Sequence, residues 1–165
     1  FWCLEATYSH TKGIESVVSG YAGGKTINPS YEEVSGGATG HAEVVKINYD
    51  PAIITLDDIL HIFFLIHNPT TPGRQGNDVG PQYRSVIFYN NKEQEKIADK
   101  IMKELAEERV YTQPILTELY PLKEFYLAEE YHQHYFAKNP NEAYCQAVIA
   151  PKLAKLRQKY AQFYL

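Results

Sequence analysis

The sequence predicts an α+β fold, and two patterns carry that prediction. Between Glu43 and Tyr49, the residues Val45, Ile47 and Tyr49 alternate with Lys46 and Asn48, the period-two signature of a half-buried strand. Between Lys92 and Glu108, Ile97, Ile101 and Leu105 recur every fourth residue, the stripe of an amphipathic helix, with Asn91 placed to cap it. Strand-like and helix-like segments are interleaved, but several strands lack the crossover helix that a regular parallel series needs. Helices packed on a largely antiparallel or mixed sheet are therefore expected.

The remaining elements follow in order. Trp2 to His10 reads as a helix with Leu4, Ala6 and Thr7 loosely on one side, ended at Lys12-Gly13. Glu15 to Ala22 reads as a strand through the β-formers Val17, Val18 and Tyr21, closed by Gly23-Gly24. Lys25 to Gly40 is a loop rich in Gly, Ser, Thr and Pro, longer than an idle connection usually is, which marks it as functional. The strand at Glu43–Tyr49 turns at Asp50-Pro51. Thr55 caps the next helix with Asp58 in its first turn, and Asn68-Pro69 ends it near His67. Thr70 to Gln82 is a second polar loop. Arg84 to Tyr89 and Ile115 to Tyr120 are short strands, and 128–137 and 150–163 are read as helices. The expected architecture is a two-layer α/β sandwich with a ferredoxin-like mixed or antiparallel sheet.

Composition bounds the function. At 165 residues the chain is expected to be a single domain, 1–165, with a substantial core. A formal net charge of -4 and the lack of any Lys/Arg block leave no footprint for nucleic acid. The longest apolar stretch, Ile59 to Ile66, is too short to span a bilayer. Two cysteines, Cys3 and Cys145, are too few for a disulfide scaffold. A cytoplasmic monomer is expected. Tyrosine is in surplus at 14 residues, enough for a few phenols to line a site besides filling the core.

Four segments carry chemistry. Cys3 falls in the first turn of a helix, where the dipole favours thiolate, although a small buried hydrophobe is an equal reading. Glu43, in Gly40-His41-Ala42-Glu43 at the mouth of a strand, is a candidate acid, and period two places His41 on its face. Arg74 to Arg84 is dense in glycine and hydrogen-bonding groups and reads as a loop folded on itself, presenting Asp78 or Tyr83. In Glu129-Glu130-Tyr131-His132-Gln133-His134-Tyr135, His132 and His134 do not share a helix face, and no histidine has metal-ligand spacing. No metal is expected.

Taken in series, these segments resemble the A-type methionine sulfoxide reductases, the peptide-methionine (S)-S-oxide reductase family. The resemblance rests on Phe1-Trp2, Gly20-Tyr21-Ala22-Gly23-Gly24, Pro29-Ser30-Tyr31-Glu32-Glu33-Val34, Gly40-His41-Ala42-Glu43, Gln75-Gly76-Asn77-Asp78, Gln82-Tyr83-Arg84-Ser85 and Tyr131-His132-Gln133. It implies reduction of methionine (S)-sulfoxide, free or in proteins, by thiolate attack on sulfur, a sulfenic acid and a resolving disulfide. It also implies that Glu43 is the acid, that Tyr31 and Tyr83 bond the sulfoxide oxygen, and that Asp78 orders the site. Phe1 and Trp2 form the wall for the methyl group. No cofactor is implied, only an external thiol reductant such as thioredoxin.

The family's nucleophilic cysteine immediately precedes the Phe, so in this numbering it is expected, with an N-terminal strand, just before Phe1. Cys3 and Cys145 are then the resolving candidates, with Cys145 favoured if the C-terminal segment is mobile. Two alternatives remain open: a module that binds methionine sulfoxide without a nucleophile, and a thiol–disulfide oxidoreductase using Cys3.

Overall fold

The computed structural model describes all 165 residues, Phe1–Leu165. Six helices and seven strands follow in the order α1 (Trp2–Ser9), β1 (Ile14–Ala22), α2 (Tyr31–Ser35), β2 (Ala42–Tyr49), α3 (Leu56–Ile66), β3 (Arg74–Gln75), β4 (Asp78–Val79), β5 (Val86–Tyr89), α4 (Lys92–Glu107), β6 (Glu118–Pro121), β7 (Phe125–Leu127), α5 (Tyr135–Lys138) and α6 (Ala150–Lys159). The class is α+β, as the sequence predicts. β1 is the centre of an antiparallel sheet ordered β2-β1-β7, and its long ladder with β2 pairs Tyr21 with Glu43. β5 and β6 run parallel, joined through α4, as a separate two-stranded sheet, and β3 pairs with β4 in a third.

Local chemistry explains these elements. Ser30 and Glu33 form a reciprocal capping box that starts α2 inside the stretch expected to be an unbroken loop. Thr55 and Asp58 do the same for α3. Helix α3 is apolar on two sides because it lies between two cores. One joins Tyr8, Val17, Ile54, Ile59, Ile62, Ile66 and Leu156; the other joins Leu60 and Phe64 to Ala98, Ile101 and Leu105 of α4. Ile62 is fully buried, and truncation to Ala there costs about 2–5 kcal/mol. No helix is long and apolar enough to cross a membrane.

Three expectations need correction. The helix predicted over 128–137 is a 3-10 turn, Glu130–His132, followed by α5; His134 between them takes a left-handed φ of 55°. That kink splits the two histidines, leaving His132 buried and His134 outside, paired with Glu5 at 3.0 Å. The helix predicted over 150–163 stops at Lys159 and is preceded by a π-helical turn, Cys145–Ile149. Strand β7 lies where no element was expected; three residues are too few for a periodic signal.

Candidate active site

Five segments converge beside the start of α1. The head of α2 carries Tyr31, the second residue of β2 is Glu43, β4 begins with Asp78, the 3-10 turn Pro81–Tyr83 ends in Tyr83, and α1 opens behind Phe1. The intervening loops are fastened by their own polar groups. Gly23 turns the chain after β1 at φ 89°, a conformation that side chains disfavour. His41 then accepts the Gly24 N–H on Nδ1 at 2.9 Å, and its Nε2–H donates to the Thr26 carbonyl at 2.7 Å. His41 therefore holds the turn and does not act beside Glu43. Arg84 donates to the Gly40 carbonyl at 2.9 Å, the Pro81 carbonyl at 2.9 Å and Glu118 at 3.0 Å, tying the approach to Glu43 to the segment carrying Tyr83. The Arg74–Arg84 loop is folded on itself, with Gly80 N–H on the Gly73 carbonyl at 2.8 Å and Arg74 Nε on the Gly76 carbonyl at 2.6 Å.

The polar side of the site is compact. The main-chain nitrogen of Phe1 donates to Glu43 Oε2 at 3.2 Å, and the Glu43 side chain is only 9% exposed. Glu43 Oε1 accepts no hydrogen bond from the protein. Burial pushes the Tyr83 phenol up to about 12, and the neighbouring Glu43 and Asp78 add to the effect, so Tyr83 stays an O–H donor at neutral pH. Asp78 Oδ2 accepts the phenol of Tyr144 at 3.0 Å, and the same phenol oxygen lies 3.6 Å from the sulfur of Cys3. Burial, then the nearby Cys3 and Asp78, drives the Tyr144 phenol well above its ordinary value.

The apolar side is aromatic. The Phe1 ring lies 5.8 Å from Tyr21 and 5.0 Å from His132. Trp2 stacks on Tyr135 at 3.6 Å with planes 3° apart and meets the edge of Tyr144 at 5.6 Å. Its indole N–H donates to His132 Nδ1 at 3.1 Å, which places the imidazole proton on Nε2. Burial lowers the His132 pKa, against the pull of Glu129, so the ring is neutral; its Nε2 has no partner. Phe1, Trp2, Tyr31, Glu43, Asp78 and Tyr83 all line one groove.

Every candidate except Cys145 reaches this groove. Cys3 lines it in an intermediate state of exposure. Cys145 is 0% exposed, packed with Ala6, Ile149 and Leu153, and its thiol is pushed up by burial, then by Glu142 and Cys3. The segment around it is a π-helical turn, Cys145–Ile149, leading into α6. Tyr21, Glu129, Tyr135 and Tyr144 were given no role by the sequence; the tyrosine surplus was the available signal for the three phenols. No group of three His, Cys, Asp or Glu side chains is placed to hold a metal ion.

The sequence profile described as Peptide methionine sulfoxide reductase matches residues 1–164. Peptide methionine sulfoxide reductase MsrA of Polynucleobacter asymbioticus is 54% identical over 97% of this chain and 84% of its own length. The protein of the same description from Chromobacterium violaceum is 49% identical over 98% of this chain and 92% of its own. Among solved structures, Saccharomyces cerevisiae Mxr1 in reduced form is 39% identical, with a TM-score of 0.82 over 88% of this chain and 83% of that one. Methionine sulfoxide reductase A of Corynebacterium diphtheriae is 36% identical, with a TM-score of 0.75 over 86% and 71%.

Proposed function

The chain belongs to the peptide methionine sulfoxide reductase family and is an oxidoreductase acting on methionine (S)-sulfoxide, and from that premise we propose the roles of its groove residues. A cysteine bonded to the nitrogen of Phe1 is the nucleophile, Glu43 is the acid, Tyr31 and Tyr83 bind the sulfoxide oxygen, and Asp78 orders the site through Tyr144. The observation carrying this reading is the convergence of Tyr31, Glu43, Asp78 and Tyr83 on the groove that Phe1 and Trp2 line, with the Phe1 nitrogen 3.2 Å from Glu43.

The steps follow from these positions. The thiolate attacks the sulfoxide sulfur while the Glu43 proton passes to the sulfoxide oxygen, a poor leaving group without it. The phenols of Tyr31 and Tyr83 bond that oxygen more strongly as charge develops on it. Phe1 and Trp2 take the methyl group against their rings, a soft contact for S–CH3. Attack forms an S–S bond and the protonated oxygen departs from the methionine sulfur; hydroxide then adds to the cysteine sulfur as the S–S bond breaks with its electron pair on methionine, so methionine leaves and the cysteine remains as sulfenic acid. A second thiol then displaces water from the sulfenic sulfur to form a disulfide.

Cys3 makes that second attack. It lies two residues from Phe1 and lines the groove, whereas Cys145 is walled in. An external dithiol of the thioredoxin kind reduces the disulfide. The protein works as a monomer in the cytoplasm, without a cofactor. The breadth of the groove supports protein-bound methionine sulfoxide as well as the free amino acid.

The test is turnover of methionine (S)-sulfoxide with dithiothreitol, by the 165 residues with and without a cysteine joined ahead of Phe1. Activity is expected only with that cysteine. Turnover by the 165 residues alone would assign attack to Cys3 or Cys145 and overturn the nucleophile assignment.

A further inference from the structure

Glu129 lies two residues beyond the end of β7 and reaches across to two other elements. Its Oε2 accepts the main-chain N–H of Tyr31 at 2.8 Å, and its Oε1 accepts the phenol of Tyr21 at 3.0 Å. The Tyr31 N–H is one of the free donors at the start of α2. Ser30 and Glu33 serve each other in the capping box and leave that N–H to Glu129. Tyr21 is fully buried in β1, so the carboxylate is anchored from below and grips α2 from the side. Burial by itself would push the Glu129 carboxyl up, but the bonds from Tyr31, its own main chain and Tyr21 hold it below the ordinary carboxylate range.

The same short segment also meets the Tyr31 ring. His132, three residues beyond Glu129, lies 4.8 Å from that ring, and Tyr131 meets its edge at 6.4 Å. Tyr31 is therefore held at its main chain by Glu129 and along its ring by the residues that follow.

We propose that Glu129 is a positioning residue for the reduction: by fixing the Tyr31 main chain it sets the Tyr31 phenol toward the sulfoxide oxygen without touching substrate. This rests on the assignment of Tyr31 as an oxygen-binding phenol. The physical reason is preorganisation. A hydrogen-bond donor helps a developing charge only if it is already aimed, and Tyr31 stands on a helix of five residues that cannot hold its own direction.

Trp2 is the only tryptophan in the chain and lines the groove, so its fluorescence follows binding of N-acetylmethionine (S)-sulfoxide amide to the 165-residue protein. Tyr31→Phe and Glu129→Ala are each expected to raise Kd about 5-fold, the usual loss for one neutral hydrogen bond. The double variant is expected to bind no more than about twofold weaker than Tyr31→Phe alone, since both act through one phenol. Glu129→Gln keeps an oxygen for the Tyr31 N–H and should bind within about twofold of the parent. Glu129→Asp keeps the charge on a shorter arm and should bind as weakly as Glu129→Ala; it serves as the second probe if the alanine variant unfolds. Losses that multiply to about 25-fold in the double variant would overturn the positioning role. So would a Glu129→Gln protein as weak as Glu129→Ala. An unchanged Kd in Tyr31→Phe would remove the Tyr31 assignment itself, and the proposal with it.

Discussion

His67 makes the stability of this protein fall in acid. Its ring sits at the end of α3, with Nδ1–H donating to the Phe63 carbonyl at 2.5 Å and Nε2 accepting the Ser85 hydroxyl at 2.6 Å. Ser85 is bonded in turn to Thr117 at 2.7 Å, so the ring closes a polar chain between α3 and the base of β5 and β6. Burial, opposed by the Phe63 carbonyl and aided by Lys152, lowers the imidazole pKa from 6.5 to about 4. Between those values the unfolded chain holds a proton that the folded chain does not, so stability falls as pH falls. The contribution is complete above about pH 6.5, is lost progressively as pH falls from there to about 4, and changes no further below that; the gap is worth about 3 kcal/mol. Urea unfolding followed by circular dichroism, for the parent and His67→Gln between pH 7 and 4, isolates it. His132 and the carboxylates titrate in both proteins and drop out of the difference. The stability advantage of the parent is expected to shrink by about 3 kcal/mol across that range. A difference that stays constant with pH would refute the argument. Ser85 stands two residues beyond Tyr83, so the same acidification loosens the anchor of a groove residue.

Glu43→Gln, in the protein carrying a cysteine ahead of Phe1, should cut turnover by about 100-fold or more with little change in unfolding midpoint. A pH–rate profile unchanged from the parent would argue against Glu43 as the acid. Gly20→Ala should cost about 2 kcal/mol or more in thermal unfolding, because the new Cβ falls into the Phe125 ring and 2.6 Å from the Tyr126 carbonyl, forcing β7 off β1. Brief treatment with iodoacetamide should label Cys3 before Cys145, since one lines the groove and the other is buried with its thiol pushed up. Peptide mass spectrometry reads the order, and Cys145 reacting first would restore it as the leading resolving candidate.

What could be read in the sequence was what depends on neighbours along the chain. β2 and α4 were visible because each has one wet and one dry face, and their periods survive in the residue order. The capping residue Thr55 marked the start of α3 for the same reason. The break at His134 was not visible, because its left-handed φ accompanies a tertiary fit: His132 goes inward to meet Trp2 while His134 goes outward to Glu5. β7 was hidden because a three-residue strand is defined by its partner β1, not by its own pattern. In the site, Glu43, Tyr31, Asp78 and Tyr83 were each weak in isolation and became specific only as an ordered series. Glu129 and Tyr144 were missed because their importance lies in hydrogen bonds to residues 98 and 66 positions away.

Glu43 and Asp78 line the groove and Glu129 stands behind Tyr31, and their surroundings divide the work among them. Glu129 has both oxygens committed, one to Tyr21 and one to the Tyr31 main chain, and is held ionised by those donors. Asp78 is committed to Tyr144, whose phenol also reaches the sulfur of Cys3. Glu43 keeps Oε1 without a protein partner, on a side chain 9% exposed, next to the Phe1 nitrogen. A carboxyl that must give a proton to substrate needs a free oxygen facing the reacting atoms; one that holds a donor in place needs the opposite. Exchanging these environments would exchange the roles. A donor placed to engage the free oxygen of Glu43 should therefore suppress turnover while leaving sulfoxide binding, read through Trp2, nearly unchanged. Loss of binding in step with turnover would mean that Glu43 grips the ground-state sulfoxide, not the transition state.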